Sequence, residues 1–175
     1  MGDCGGVPME HQGVLLFVDA DSCPRELRSI MLRAIVRRSV PALFVADRSL
    51  PDVVEQASLA AGQEEARPLI QLVVVPKGID SADDYLVAHA TQGSLAITRD
   101  VILADRLASK GLTVLDDRGG VYTKATVKER LSMRNIMTSL REQGVFAEQT
   151  RPLGKRDIQA FANALDSQLT RLLKQ

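Results

Sequence analysis

The chain has no tryptophan, and its aromatic complement is four phenylalanines and two tyrosines in 175 residues. A binding surface built on stacking bases against aromatic side chains is therefore not a strong option. Cysteine is almost absent as well. Cys4 and Cys23 are the only two, Cys4 falls in a tail, and no Cys-x-x-Cys pair or Cys/His cluster marks a disulfide framework or a zinc site. Histidine is as scarce. His11 falls in the tail and His89 in a helical stretch, which leaves Cys23 without a base and argues against a Cys/His nucleophile. No run reaches the roughly 18 apolar residues needed to span a bilayer. Met1 to Gln12 is Gly-rich and polar and has no apolar segment of the secretory kind, so the expectation is a cytoplasmic protein with no membrane partner. Residues 1–12 read as a disordered leader, and 13–175 as a single domain long enough to bury a proper core.

Charge is balanced overall but not along the chain. Residues 1–117 hold 11 Lys and Arg against 17 Asp and Glu, whereas residues 118–156 hold 9 against 3. An acidic part with a basic neighbour suits a metal site beside a polyanion-binding surface, and equally suits a set of solvated helix faces.

What the sequence does have is a run of buried-strand character that ends in acid. Leu15-Leu16-Phe17-Val18 leads into Asp19-Ala20-Asp21-Ser22-Cys23-Pro24. In extended chain, residues two apart point the same way, so Asp19 and Asp21 are expected to sit together past the carboxyl end of the first strand. Two close carboxylates repel unless a cation or a proton lies between them. Further along, strands are expected at Ala42 to Ala46, Leu69 to Val75, Leu95 to Thr98 and Leu112 to Leu115, with helices between them. Asp116 to Tyr122 reads as a turn-rich loop. Two more helices follow, near Ala125 to Gln143 and Asp157 to Leu173. The last carries an apolar stripe that would serve its own core or a homodimer interface. The alternation calls for an α/β fold with a parallel sheet of about five strands and two extra C-terminal helices.

If the strand order is 3-2-1-4-5, strands 1 and 4 are neighbours where the order reverses, and ligands of such sheets bind at that crevice. Asp19 and Asp100 would then flank it. The Asp80/Asp83/Asp84 group opens the helix after strand 3 and would join them only if that helix packs back across the crevice. Several carboxylates around one crevice make an oxygen-rich site for Mg2+ or Mn2+. Each also has a duller role: Asp80, Ser81, Asp83 and Asp100 can cap helices, and Asp47, Asp116 and Asp117 read as turn residues. In the basic stretch, Arg118, Lys124, Arg130 and Arg134 are candidate phosphate contacts, the last two sharing a helix face.

At these residues the sequence resembles the YaiI/YqxD family, small bacterial proteins of uncharacterised function. The motifs are Val18-Asp19-Ala20-Asp21-Ser22-Cys23-Pro24, Gly78-Ile79-Asp80-Ser81-Ala82-Asp83, Ile97-Thr98-Arg99-Asp100 with Leu103-Ala104, Arg118-Gly119 with Tyr122-Thr123, and Glu129-Arg130-Leu131-Ser132-Met133-Arg134. That family looks like a branch of the PIN-like domains, which implies a three-layer, Rossmann-like fold and an acidic pocket for Mg2+ or Mn2+. Carried over by position, Asp19 matches the acid after the first strand and Asp100 the acid after the fourth. Asp83 matches the helical acid, where many PIN domains have Glu; Asp21 and Asp80 belong to this family's own pattern. The resemblance implies a metal-dependent nuclease with Asp19, Asp83 and Asp100 as catalytic metal ligands, Asp21 and Asp80 in support, and RNA or another nucleic acid as partner. Two other readings stand beside it. One is a non-catalytic nucleic-acid-binding or adaptor protein with a PIN-like shell. The other is a haloacid-dehalogenase-like phosphatase using Asp19 as nucleophile and Asp21 as acid and base.

Overall fold

The computed structural model describes residues 11–61, 68–144 and 152–174. Six strands, β1 (Leu16–Asp19), β2 (Ala42–Ala46), β3 (Ile70–Val74), β4 (Leu95–Ile97), β5 (Thr113–Leu115) and β6 (Val121–Tyr122), form one sheet in the order β3-β2-β1-β4-β5-β6. The helices are α1 (Arg25–Arg38), α2 (Pro51–Ala60), α3 (Ser81–His89), α4 (Val101–Ser109), α5 (Val127–Glu142) and α6 (Lys155–Leu173). The first five strands are parallel, with the expected order. The sixth corrects the expected loop over 116–122: Val121 and Tyr122 pair antiparallel with Leu115 and Val114.

Alternation within the short strands makes the layers. Leu16 and Val18 of β1, Phe44 of β2 and Ile97 of β4 point to one face, where they meet α1, α2 and α6. Phe17, Leu43, Val45, Ala96 and Val114 point to the other and meet α3, α4 and the start of α5. Both faces of β1 and β2 are fully covered, as a parallel sheet requires. Each buried Phe or Leu stabilises this sandwich by about 1.5–3 kcal/mol.

The α6 stripe of Phe161, Leu165, Leu169 and Leu172 packs into the protein's own core. Only Val127 is buried in α5, and Met133 and Ile136 stay more than half exposed. Of the leader expected over 1–12, residues 1–10 lie outside the described residues, whereas His11 is buried against the sheet. Among the described residues no helix is long and apolar enough to cross a membrane.

Candidate functional site

The carboxyl ends of β1, β2, β4 and β5 open on one edge of the sheet, and the crevice lies where β1 meets β4. Asp19 closes β1 and is 5% exposed. Its Oδ2 accepts a hydrogen bond from Thr98 Oγ1 at 2.7 Å. The same hydroxyl oxygen accepts from the Asp100 amide at 3.1 Å, so Thr98 fixes both ends of the crevice. Burial pushes the Asp19 carboxyl above its ordinary range; hydrogen bonds from Thr98 and Ser22 oppose this, and Asp21 and Asp100 add repulsion.

The chain does not stay extended past Asp19. Ala20–Ser22 form a single 3-10 turn, which removes the two-residue alternation that would have placed Asp21 beside Asp19. The Ser22 hydroxyl donates to the Asp19 carbonyl at 3.0 Å and accepts from the Arg99 amide at 3.3 Å, fastening the turn to the end of β4. Asp21 is turned toward β2 instead. Its Oδ2 accepts from the Asp47 amide at 2.7 Å, and Arg48 Nε stands 3.8 Å from Oδ1.

Asp100 is the N-cap of α4, as one of its expected roles required. Its Oδ1 accepts from the amides of Ile102 at 2.9 Å and Leu103 at 3.4 Å. Asp83 lies in the first turn of α3, half-buried, and its carboxyl is pushed up to about 6. Burial contributes most, followed by the charges of Asp19, Asp100 and Asp80. Helix α3 therefore packs back far enough to bring its acid within electrostatic reach of the crevice. Asp84 is on another face and pairs with Arg106 at 3.0 Å. Asp80 occupies the N-cap position of α3 in the left-handed region (φ 60°), yet its side chain makes no capping hydrogen bond.

The end of β5 adds a residue that the sequence reading set aside. Asp116 is a turn residue: Oδ1 accepts from the amides of Arg118 and Gly120 at 2.9 and 2.8 Å, and Oδ2 from the Tyr122 hydroxyl at 2.6 Å. Asp117 is different. It lines a cleft of about 180 Å³ between β4 and β5, with Thr98, Arg99, Asp100, Arg118 and Arg130 among the other walls. Burial and then Asp116 raise its carboxyl, against the pull of Arg99 and Arg118. The strand-then-Asp pattern that singled out Asp19 and Asp100 recurs at Leu115-Asp116-Asp117, and was the available signal.

The cleft gathers Arg118 and Arg130 but not Lys124 or Arg134, which are exposed elsewhere. Arg118 is also paired with Asp157 of α6 at 2.8 Å. Cys23, buried beside this site, has its thiol pushed up to about 12 by burial and by Asp19, which leaves it inert as a nucleophile at neutral pH.

Ion pairing sorts the aspartates. Asp21, Asp52, Asp84, Asp105, Asp157 and Asp166 each have a Lys or Arg within 4.0 Å. Among the described residues Asp19, Asp47, Asp80, Asp83, Asp100, Asp116 and Asp117 have none, and of these Asp19, Asp83 and Asp100 gather at the crevice. Their oxygens suit a hard divalent cation, although among the described residues no three His, Cys, Asp or Glu side chains converge closely enough to hold a metal ion as they stand.

Fold and crevice together define a Rossmann-like α/β domain with unpaired carboxylates at the carboxyl edge of its sheet. The family model described as uncharacterized BCR, YaiI/YqxD family, matches residues 17–171. A UPF0178 protein of Pseudomonas fluorescens SBW25 is 42% identical over 163 residues, covering 91% of this chain and 98% of the relative. Another from Ectopseudomonas mendocina ymp is 43% identical over 160 residues, covering 90% and 97%. The chain belongs to the YaiI/YqxD family. No solved structure matches it.

Proposed function

We propose that the protein is a PIN-like, divalent-metal-dependent nuclease that hydrolyses a phosphodiester, with RNA the foremost substrate. One observation carries the reading. Asp19, Asp83 and Asp100 come from three different elements and have no Lys or Arg within 4.0 Å among the described residues, and burial, followed by the charges of Asp19 and Asp100, raises Asp83 to about 6 against the pull of Arg106. Elsewhere in the same domain the partly buried Asp52 and Asp157 are ion-paired. An acidic cluster kept without a counter-charge inside the protein is a site for one from outside.

The donor set fits Mg2+ or Mn2+ in kind, being all carboxylate oxygen, and the side chains would have to converge further to ligate one ion. Asp19, Asp83 and Asp100 would hold such an ion, which would supply Lewis-acid stabilisation of charge on the phosphoryl oxygens. The chain's own residues do the rest. Thr98 holds the Asp19 carboxylate in one orientation, Asp21 and Asp80 add negative potential around the crevice, and Arg99 and Arg130 offer the adjoining cleft's cationic wall to a neighbouring phosphate. The phosphatase alternative has less support, because the 3-10 turn directs Asp21 Oδ2 to the Asp47 amide rather than alongside Asp19.

Calorimetric titration of metal-stripped protein with Mn2+, wild type beside Asp19→Asn, tests the site, followed by cleavage assays on labelled RNA and DNA oligonucleotides. Binding and cleavage that Asp19→Asn abolishes, in a variant that still folds, is the expected result. Unchanged cleavage in that variant would overturn the reading. RNA binding that survives both EDTA and Asp19→Asn, with no cleavage, would instead favour the non-catalytic adaptor.

A further inference from the structure

His11 stands just ahead of β1 and is 3% exposed. Its ring joins elements that are far apart in sequence. Nδ1 donates to Gln71 Oε1 of β3 at 3.1 Å, and in the neutral ring Nε2 accepts from the Tyr85 hydroxyl of α3 at 2.6 Å. The Tyr85 ring stacks on His89 one turn later, with centroids 3.9 Å apart, and His11 meets His89 edge-on at 5.3 Å. His89 Nδ1 donates to the Tyr85 carbonyl at 2.8 Å, which orients the stack. Both histidines of the chain and one of its two tyrosines are gathered at this point.

Helix α3 is also held by Ala82 and Val87 against the core, by the Asp84–Arg106 pair and by Lys110 on the Val87 carbonyl. Leu86 is its one fully buried side chain, and its N-cap carboxylate makes no capping bond. This helix carries Asp83 in its first turn, two residues before Tyr85, so the buried ring of His11 grips α3 next to that acid. We propose that His11 is a positioning residue, whose clamp on Tyr85 seats α3 so that Asp83 faces Asp19 and Asp100. The segment before β1 is then part of the site. The metal consequence rests on the nuclease reading; the clamp stands on the contacts themselves.

Full-length His11→Leu fills the space without a hydrogen bond, His11→Gln restores a donor and an acceptor, and Tyr85→Phe removes the other partner. Amide hydrogen exchange reads the seating of α3, and Mn2+ calorimetry reads the site. His11→Leu is expected to speed exchange in α3 about tenfold while α1 is unchanged, and to weaken Mn2+ binding by about the same factor. His11→Gln should recover most of both effects, and Tyr85→Phe, which removes the partner hydroxyl, should speed exchange in α3 in the same direction as His11→Leu. Unaltered exchange in α3 overturns the clamp. Faster exchange with unaltered Mn2+ affinity overturns the positioning role. Wild-type protein that binds no Mn2+ removes the metal site itself, a different result from wild-type binding that His11→Leu leaves intact.

Discussion

At Asp100 a single carboxylate combines a structural and a proposed chemical role, and the two can be separated. Oδ1 caps α4, and Asn offers the same acceptor without the charge. Asp100→Asn is therefore expected to melt close to wild type while losing Mn2+ binding. Asp100→Ala should lose Mn2+ binding and also about 1 kcal/mol of stability, read by urea unfolding. Asp83 makes a prediction about pH. Its carboxyl is raised from the ordinary 3.8 to about 6, so the native state holds that proton more tightly than the unfolded chain does. The resulting stability is complete below the unfolded value and is lost as pH rises through about 6. Metal-free Asp83→Asn should thus be more stable than wild type at pH 8, by on the order of 1 kcal/mol after solvent screening, and the difference should vanish as pH falls toward 4. Thermal melts in EDTA across that range check it; a variant less stable than wild type at pH 8 would refute the repulsion.

Among the elements, the turn from β5 to β6 is the most tightly constrained. Gly119 has φ +87° and lies so close to α6 that an added Cβ would come within 2.7 Å of the Ala160 carbonyl oxygen. Gly119→Ala is expected to cost roughly 1–3 kcal/mol in urea unfolding, from left-handed backbone strain and forced displacement of α6. Because Asp117 and Arg118 immediately precede that glycine and line the cleft, the same variant should also perturb the cleft. This turn was legible only as a turn. Strand β6 is two residues long, too short to show a period, and exists because Asp116 folds the chain back through the Arg118 and Gly120 amides and the Tyr122 hydroxyl. Helix α6 was legible in full as an element, but its partner was not. The stripe is spent on the protein's own core, so Phe161→Ala should lower stability by about 3–5 kcal/mol, read by chemical unfolding.

Across the whole molecule, the basic stretch and the acidic crevice meet at one place, the cleft between β4 and β5. Arg130 lines it while Arg134 stands clear, although the two share a helix and a charge. Arg130→Ala is accordingly expected to weaken oligonucleotide binding more than Arg134→Ala, both measured by fluorescence anisotropy over a salt series. Neither should alter Mn2+ affinity, and Arg130→Ala alone should lower the salt slope by about 1, as the loss of one phosphate contact requires. Equal effects from the two would move the nucleic-acid path off the cleft and onto the open face of α5.

The sequence by itself determined the alternation of strands and helices, the strand order around β1 and β4, and the acids that end those strands. These follow from local periodicity and from the few topologies that a parallel sheet permits. Only the tertiary structure decided which acids meet. Asp21 turned toward β2 because a 3-10 turn broke the alternation, and Asp117 lines the neighbouring cleft beside Asp100 while Asp116 holds the turn. Asp83 reached the crevice because α3 crosses back over the sheet, seated by a histidine whose contacts lie 60 and 74 residues away. Separations of that kind leave no trace in a local pattern. They are set when packing of the two apolar faces brings distant side chains to one edge.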